Sequence, residues 1–186
     1  ATTLTSWIFD SDESGQLSNA CGTIAYQEIN SIIAGDGDDV FQFADDSVSF
    51  GSILDGQGGS NTLIGHNLTN TWKITDNNEG TLSNSAVKTS GVFYLEFVNI
   101  QSIIGGSEDD TFVFSSKGDI NSIAGGEGNN SLEAHNQINA WEITSKEGGT
   151  LENNILASQG NTSLAFSSIQ KLIGGTNSDD FILGAN

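Results

Sequence analysis

Ser31-Ile-Ile-Ala-Gly35 returns as Ser102-Ile-Ile-Gly-Gly106 and again as Lys171-Leu-Ile-Gly-Gly175, at offsets of 71 and 69 residues. Trp7, Trp72 and Trp141 mark a second phase of the same repeat. The residues ahead of each small-residue pair align without gaps: Ile24, Leu95 and Leu164; then Tyr26, Phe97 and Phe166; then Ile29, Ile100 and Ile169. His66-Asn67 and His135-Asn136 each begin six residues ahead of a Trp. Self-similarity at a fixed period is the signature of a modular architecture. The chain divides into a partial module (1–30), two full modules (31–101 and 102–170) and a partial start (171–186).

A finer period runs inside each module. Ser31-Ile-Ile resembles Ser52-Ile-Leu, 21 residues on, and Ser102-Ile-Ile resembles Ser122-Ile-Ala, 20 residues on. The remainder, 71–101 or 140–170, has no Gly-Gly loop. A module therefore reads as three coils of about 20, 19 and 31 residues. Period-2 alternation marks strands at Val40–Phe43, Trp72–Thr75, Phe93–Phe97, Thr111–Phe114 and Trp141–Thr144. No stretch holds a capped helical period over ten residues or more. Proline is absent, which suits strands whose every N–H enters a ladder. The expected fold is all-β: one elongated parallel β-solenoid, a right-handed β-helix or β-roll, of about 8 coils. At the spacing of hydrogen-bonded strands that makes a rod of about 40 Å. A β-sandwich of short strands is the alternative.

The chain of 186 residues has 5 Lys and Arg against 24 Asp and Glu, a net charge of -19. Such a surface repels phosphate backbones and anionic lipid, so nucleic-acid binding is excluded as a function class. No apolar run approaches the roughly 18 residues of a membrane span, so no membrane insertion is expected. The charge opposes compaction and calls for bound cations, ambient salt or wide spacing along an elongated body. Cys21 is the only cysteine, so no internal disulfide forms; its small and β-branched neighbours predict a buried filler. No signal peptide is visible and no Met occurs, which reads as an internal fragment or a processed chain.

Five segments begin a Gly-rich loop: Ala34–Gln42, Gly56–Ile64, Gly105–Val113, Gly125–Glu133 and Gly174–Ile182. They resemble the nonapeptide Gly-Gly-x-Gly-x-Asp-x-U-x, U being a large apolar residue, of the RTX (haemolysin-type) calcium-binding repeats. The longer phrase Phe97–Phe114 is similar to the haemagglutinin-like repeats of large bacterial surface adhesins. The resemblance implies a secreted, cell-surface stalk or fibre stiffened by Ca²⁺, with carboxylates closing oxygen cages at the corners. Its ligands would be Asp36, Asp38, Asp39 and Asn61 in one module, Glu108, Asp109, Asp110 and Asn130 in the next, and Asp179 in the last.

The sequence departs from that family in two ways. Its loops are 20 to 22 residues apart within a pair rather than nine, and the third coil has none. The sixth loop position is Asp in the first loop of each module (Asp39, Asp110, Asp179) but Asn in the second (Asn61, Asn130). Asn ligates calcium weakly, and it also stacks as a neutral hydrogen-bonded ladder. Calcium cages and plain Asn corners both remain open on this reading.

Catalysis is not expected. An active site is a singular constellation, whereas most acids here recur in register, Glu13, Glu79 and Glu147 among them. His66 and His135 are repeat-equivalent and read as corner residues. The pattern Trp-x-Ile puts each Trp on the core face, against the alternative of a sugar-stacking platform. No sustained Thr-x-Thr ladder suggests ice binding. The expected partners are flanking repeats of the same protein or end-to-end copies of itself, with a cell-surface glycan as the alternative. The expected role is an extracellular structural repeat segment that spaces other domains, steadied by divalent cations; a carbohydrate-binding module and a self-assembling filament subunit are the alternatives.

Overall fold

The computed structural model describes residues 4–11, 13–48, 50, 53–84 and 93–184; Ser52, which anchors one repeat phrase, lies outside them. The protein is all-β. The strands are β1 (Thr5–Ser11), β2 (Ser14–Asn19), β3 (Gly22–Tyr26), β4 (Ser31–Ile33), β5 (Asp39–Phe43), β6 (Ile53–Asp55), β7 (Thr62–Ile64), β8 (Asn70–Asp76), β9 (Glu79–Asn84), β10 (Phe93–Val98), β11 (Ser102–Gly106), β12 (Thr111–Phe114), β13 (Ser122–Gly126), β14 (Ser131–Glu133), β15 (Ala140–Ser145) and β16 (Gly148–Glu152). One short helix, α1 (Asn154–Gln159), precedes β17 (Leu164–Ser167), β18 (Lys171–Ile173) and β19 (Asp180–Leu183). All five predicted strand segments lie inside these strands.

Two sheets form. The order is β19-β15-β16-β17-β13-β11-β7-β5-β1-β2-β3 in one and β18-β14-β12-β8-β9-β10-β6-β4 in the other. From β4 to β8 the chain changes sheet at every strand, and it does so again from β10 to β15. Ladder neighbours are therefore not sequence neighbours. Ser102 pairs in parallel with Ser122 on one side and with Thr62 on the other. Thr111 pairs likewise with Ser131 and Thr71. In the first module Ile32 pairs with Leu54, a spacing of 22 rather than the 21 of the sequence alignment. The reason is burial: Ile32 and Leu54 point inward, while Ile33 and Ile53 are exposed.

The third coil of each module is not a coil. Residues 70–98 form an antiparallel meander, β8-β9-β10, and 140–167 form another, β15-β16-β17. β1-β2-β3 is the same unit in the first module. Each meander occupies three ladder positions of one sheet. A module thus contributes one meander and four single strands, five sheet positions in all. Five is odd, so equivalent elements alternate sides: β1 and β15 lie in the larger sheet and β8 in the smaller.

Inward residues stack in columns. Trp7, Phe41, Leu63, Ile103, Ile123 and Phe166 are successive direct partners in the larger sheet. Leu95, Leu82, Trp72, Phe112, Leu132 and Leu172 are partners in the smaller. The two inner faces share one apolar core, with Trp72, Trp141, Phe41, Phe112 and Leu63 fully buried. Burial of each large side chain contributes about 1.5–3 kcal/mol. Tyr26, Phe97 and Phe166 align in sequence because each pairs across the meander with a glycine: Gly15, Gly80 and Gly149. The Phe97 ring covers Gly80 so closely that a methyl group there would strike it.

Two expectations fail. Cys21 is exposed, because it stands in the turn between β2 and β3 rather than on a strand face. Ile24 is exposed, unlike its equivalents Leu95 and Leu164, because β3 is the outermost strand of its sheet.

Candidate functional site

The Gly-rich loops deliver one polar residue each to the start of the strand that follows. Asp39 opens β5, and Asn61, Asp110 and Asn130 immediately precede β7, β12 and β14. All four are buried. They belong to ladders that run along the strand-stacking direction. In each ladder a side-chain oxygen accepts the backbone N–H of the preceding rung. The Asp39 N–H donates to Asn61 Oδ1 at 2.9 Å, and the Asn61 N–H to Gln101 Oε1 at 2.7 Å. In the next module the Asn70 N–H donates to Asp110 Oδ1 at 2.8 Å. The Asp110 N–H donates to Asn130 Oδ1 at 2.8 Å, and the Asn130 N–H to Gln170 Oε1 at 2.6 Å. A third ladder begins where the Asn139 N–H meets Asp179 Oδ1 at 3.1 Å.

The Asn rungs are saturated. Asn61 Nδ2 donates to the carbonyls of Gly56 (2.9 Å), Gly58 (3.2 Å) and Asn99 (2.9 Å). Asn130 Nδ2 donates to those of Glu127 (2.8 Å) and Ser168 (3.0 Å). The Asp rungs are not. Asp39 Oδ2 and Asp110 Oδ2 are buried without a hydrogen-bond partner. The glycines at the loop starts show why. A Cβ built on Gly125 would strike both Asn130 Nδ2 and the Ser168 carbonyl oxygen. A Cβ on Gly105 would strike both Asp110 Oδ2 and the Gly125 carbonyl oxygen. Asp110 Oδ2 therefore stands where Asn130 places an NH₂ group, and it faces a carbonyl with nothing to donate.

The electrostatics follow. Burial pushes the Asp110 carboxyl up to about 6, with the charges of Asp109 and Glu108 adding to the rise and the hydrogen bonds from Asn70 opposing it. Burial raises Asp39 as well, against a 3.4 Å hydrogen bond from Trp7 Nε1 to its Oδ1.

The other predicted ligands point elsewhere. Asp36, Asp38, Glu108 and Asp109 are exposed on the loops. Asp38 Oδ1 accepts the Ser60 N–H and Asp109 Oδ1 accepts the Asn129 N–H, both at 2.8 Å, so these acids fasten the next loop of the stack. Asp179 is half-buried, and its Oδ1 also accepts Asn139 Nδ2 at 2.7 Å. The structure thus joins Asp39 to Asn61 and Asp110 to Asn130 as adjacent rungs, and parts each buried Asp from the acids beside it. Among the described residues no three His, Cys, Asp or Glu side chains converge on a common metal position.

His66 and His135 brace the ladders from behind. His66 Nε2 lies 2.8 Å from the Val48 carbonyl, and Nδ1 lies 3.2 Å from Asn84 Nδ2, which also donates to Asn70 Oδ1 at 3.0 Å. A carbonyl only accepts, so Nε2 carries the proton and Nδ1 accepts. His135 repeats this with Gly118, Asn153 and Asn139 at 2.7, 3.1 and 2.9 Å. Burial holds both imidazoles below their ordinary pKa. The sequence reading missed Asn70, Asn139, Asn84, Asn153, Gln101 and Gln170. The signal was present: Asn70 and Asn139 stand two residues before a Trp, and each Gln precedes the recurring strand at 102 or 171.

No family model matches the chain, and no curated protein or solved structure matches it.

Proposed function

We propose that the chain is a non-catalytic structural repeat segment of a secreted bacterial surface protein, a stalk or fibre element stiffened by Ca²⁺. The two sheets are the two sides of a flattened parallel solenoid, in the manner of the calcium-binding repeats that the loops resemble. What supports the architecture is the alternation of strands between sheets and the parallel pairing of residues 20 or 40 positions apart. What supports a structural role is that the recurring polar residues act as rungs, bracing backbone rather than facing a cleft.

The observation that carries the calcium reading is the orphaned Oδ2 of Asp110, with Asp39 as its counterpart. A buried carboxylate without a donor is costly, and a hard cation with carboxylate and carbonyl oxygens around it offsets that cost. The residues that would hold the ion are Asp110 and Asp39, with the Gly125 carbonyl beside the former. The test is thermal unfolding followed by circular dichroism, in excess Ca²⁺ and in EDTA, at fixed ionic strength. At 100 times Kd, binding to the folded state adds about 2.7 kcal/mol. An upward shift specific to Ca²⁺ and absent from a doubly substituted Asp39→Asn, Asp110→Asn chain supports the reading. Identical melts with and without Ca²⁺ overturn it.

End-to-end association is a second reading, favoured by the open edge at β19. Phe181 is 53% exposed there, whereas its equivalents Phe41 and Phe112 are fully buried under the next strand. Sedimentation velocity over a concentration series tests it. Sedimentation as a monomer at every concentration overturns it.

A further inference from the structure

One recess breaks the repeat. It lies where the β8–β9 turn (Asn77, Asn78), the segment Asp119–Asn121 and the loop after α1 (Gln159–Thr162) meet, and it measures about 390 Å³. Its lining is five carboxamides, one carboxylate and one hydroxyl around Gly160. The walls are fixed by backbone: Asn77 bridges Asp119, and the Asn78 N–H donates to the Asp119 carbonyl at 2.8 Å. Asn161 Nδ2 ties the third segment to Asp119 Oδ1 at 3.0 Å. Polar residues that only brace this fold recur in each module, as the ladders do. These do not: the turn equivalent to Asn77-Asn78 is Lys146-Glu147, which forms an ion pair with itself.

The groups in the recess lack donors more than acceptors. Asp119 is 2% exposed and burial raises its pKa. Asn78 Oδ1 is buried with no partner. The Asn121 side chain is exposed on the rim. A net charge of -19 repels an anionic ligand. A divalent cation calls for several carboxylates, and Asp119 is the single one here. A neutral polyol fits: its hydroxyls donate to Asp119 and Asn78 and accept from the Asn121 and Gln159 amides.

We propose that this recess binds a neutral saccharide unit, with Asp119 and Asn121 making the principal hydrogen bonds. The site is independent of calcium and of the stalk reading. It has no aromatic face, so the affinity rests on hydrogen bonds and is weak, with millimolar dissociation constants expected.

The test is a two-dimensional amide NMR titration of the whole chain in EDTA. The probes are methyl α-glucoside, methyl α-mannoside, methyl β-galactoside and N-acetylglucosamine. At least one sugar is expected to give saturable shifts confined to the three lining segments. Asn121→Ala, an exposed change that leaves the fold intact, should weaken binding about five-fold, and Asp119→Asn, which keeps the shape, by about ten-fold or more. The proposal is overturned if none of the four sugars moves these amides, or if both variants, folded, titrate as the unmodified chain does. It is also overturned if CaCl₂ saturates the recess where the sugars do not.

Discussion

The Asp110 and Asn130 rungs stand 20 residues apart on one ladder, in matching surroundings, and differ by one atom at the end of the side chain. Both accept an N–H from the rung before through Oδ1. Asn130 turns an NH₂ toward carbonyls and is saturated; Asp110 turns an oxygen toward a carbonyl and is not. The corner is built for a donor. Where the side chain supplies none, a proton or a cation must. That single difference separates a neutral brace from a rung that responds to its solution.

The largest effect should come from making the saturated rung resemble the other. Asn130→Asp removes two donated hydrogen bonds and sets a buried carboxylate against the Glu127 and Ser168 carbonyls. The expected loss is about 3–5 kcal/mol at neutral pH, read from urea unfolding in EDTA. An unchanged midpoint would end the comparison.

The reverse change, Asp110→Asn, should stabilise. The folded carboxyl titrates at about 6 against a model value of 3.8. The folded state therefore binds more protons than the unfolded chain between those values, and wild-type stability falls as pH rises through 6. At 1.36 kcal/mol per unit, the variant gains about 2–3 kcal/mol above pH 7 and nothing near pH 4. Saturating Ca²⁺ should narrow the gap by stabilising the wild type alone.

The same variant isolates a smaller component of opposite sign. His66 and His135 are held neutral, so the unfolded chain takes protons first as pH falls below about 6.5, and stability drops with it. In the wild type the Asp110 term masks this drop. In Asp110→Asn, urea unfolding from pH 8 to pH 5 should show a steady decline; a flat profile would remove the histidines from the account. The smallest effect belongs to Asp109→Asn, one residue from the sensitive rung. The amide keeps the oxygen that accepts the Asn129 N–H, so stability should stay within about 0.5 kcal/mol.

Much of this was legible in the chain itself. The pattern Val40-Phe-Gln-Phe43 sends alternate residues inward whatever they pack against, so the strand and its buried face could be read locally. Trp72 and Trp141 were legible as core residues for the same reason. The alternation of Asp and Asn at the sixth loop position marked the rungs, and both of its readings left a trace: the Asn residues are a hydrogen-bonded ladder, and two of the Asp residues lack a partner. Glu108 and Asp109 could not be separated from Asp110 by sequence, because three adjacent acids look alike until the backbone points one inward and two outward. Asn84 and Asn153 were invisible because their partners, His66 and His135, lie 18 residues away across a corner.

The sequence by itself determined the module, the strands, their inward faces and the sites of the loops, because these depend on period, side-chain polarity and glycine, which act over a few residues. Only the tertiary structure decided that the longest segment of each module folds back as a meander and that equivalent elements change sides. Those outcomes depend on which strands pair, and pairing is fixed by contacts 20 to 43 residues apart that bury one common core.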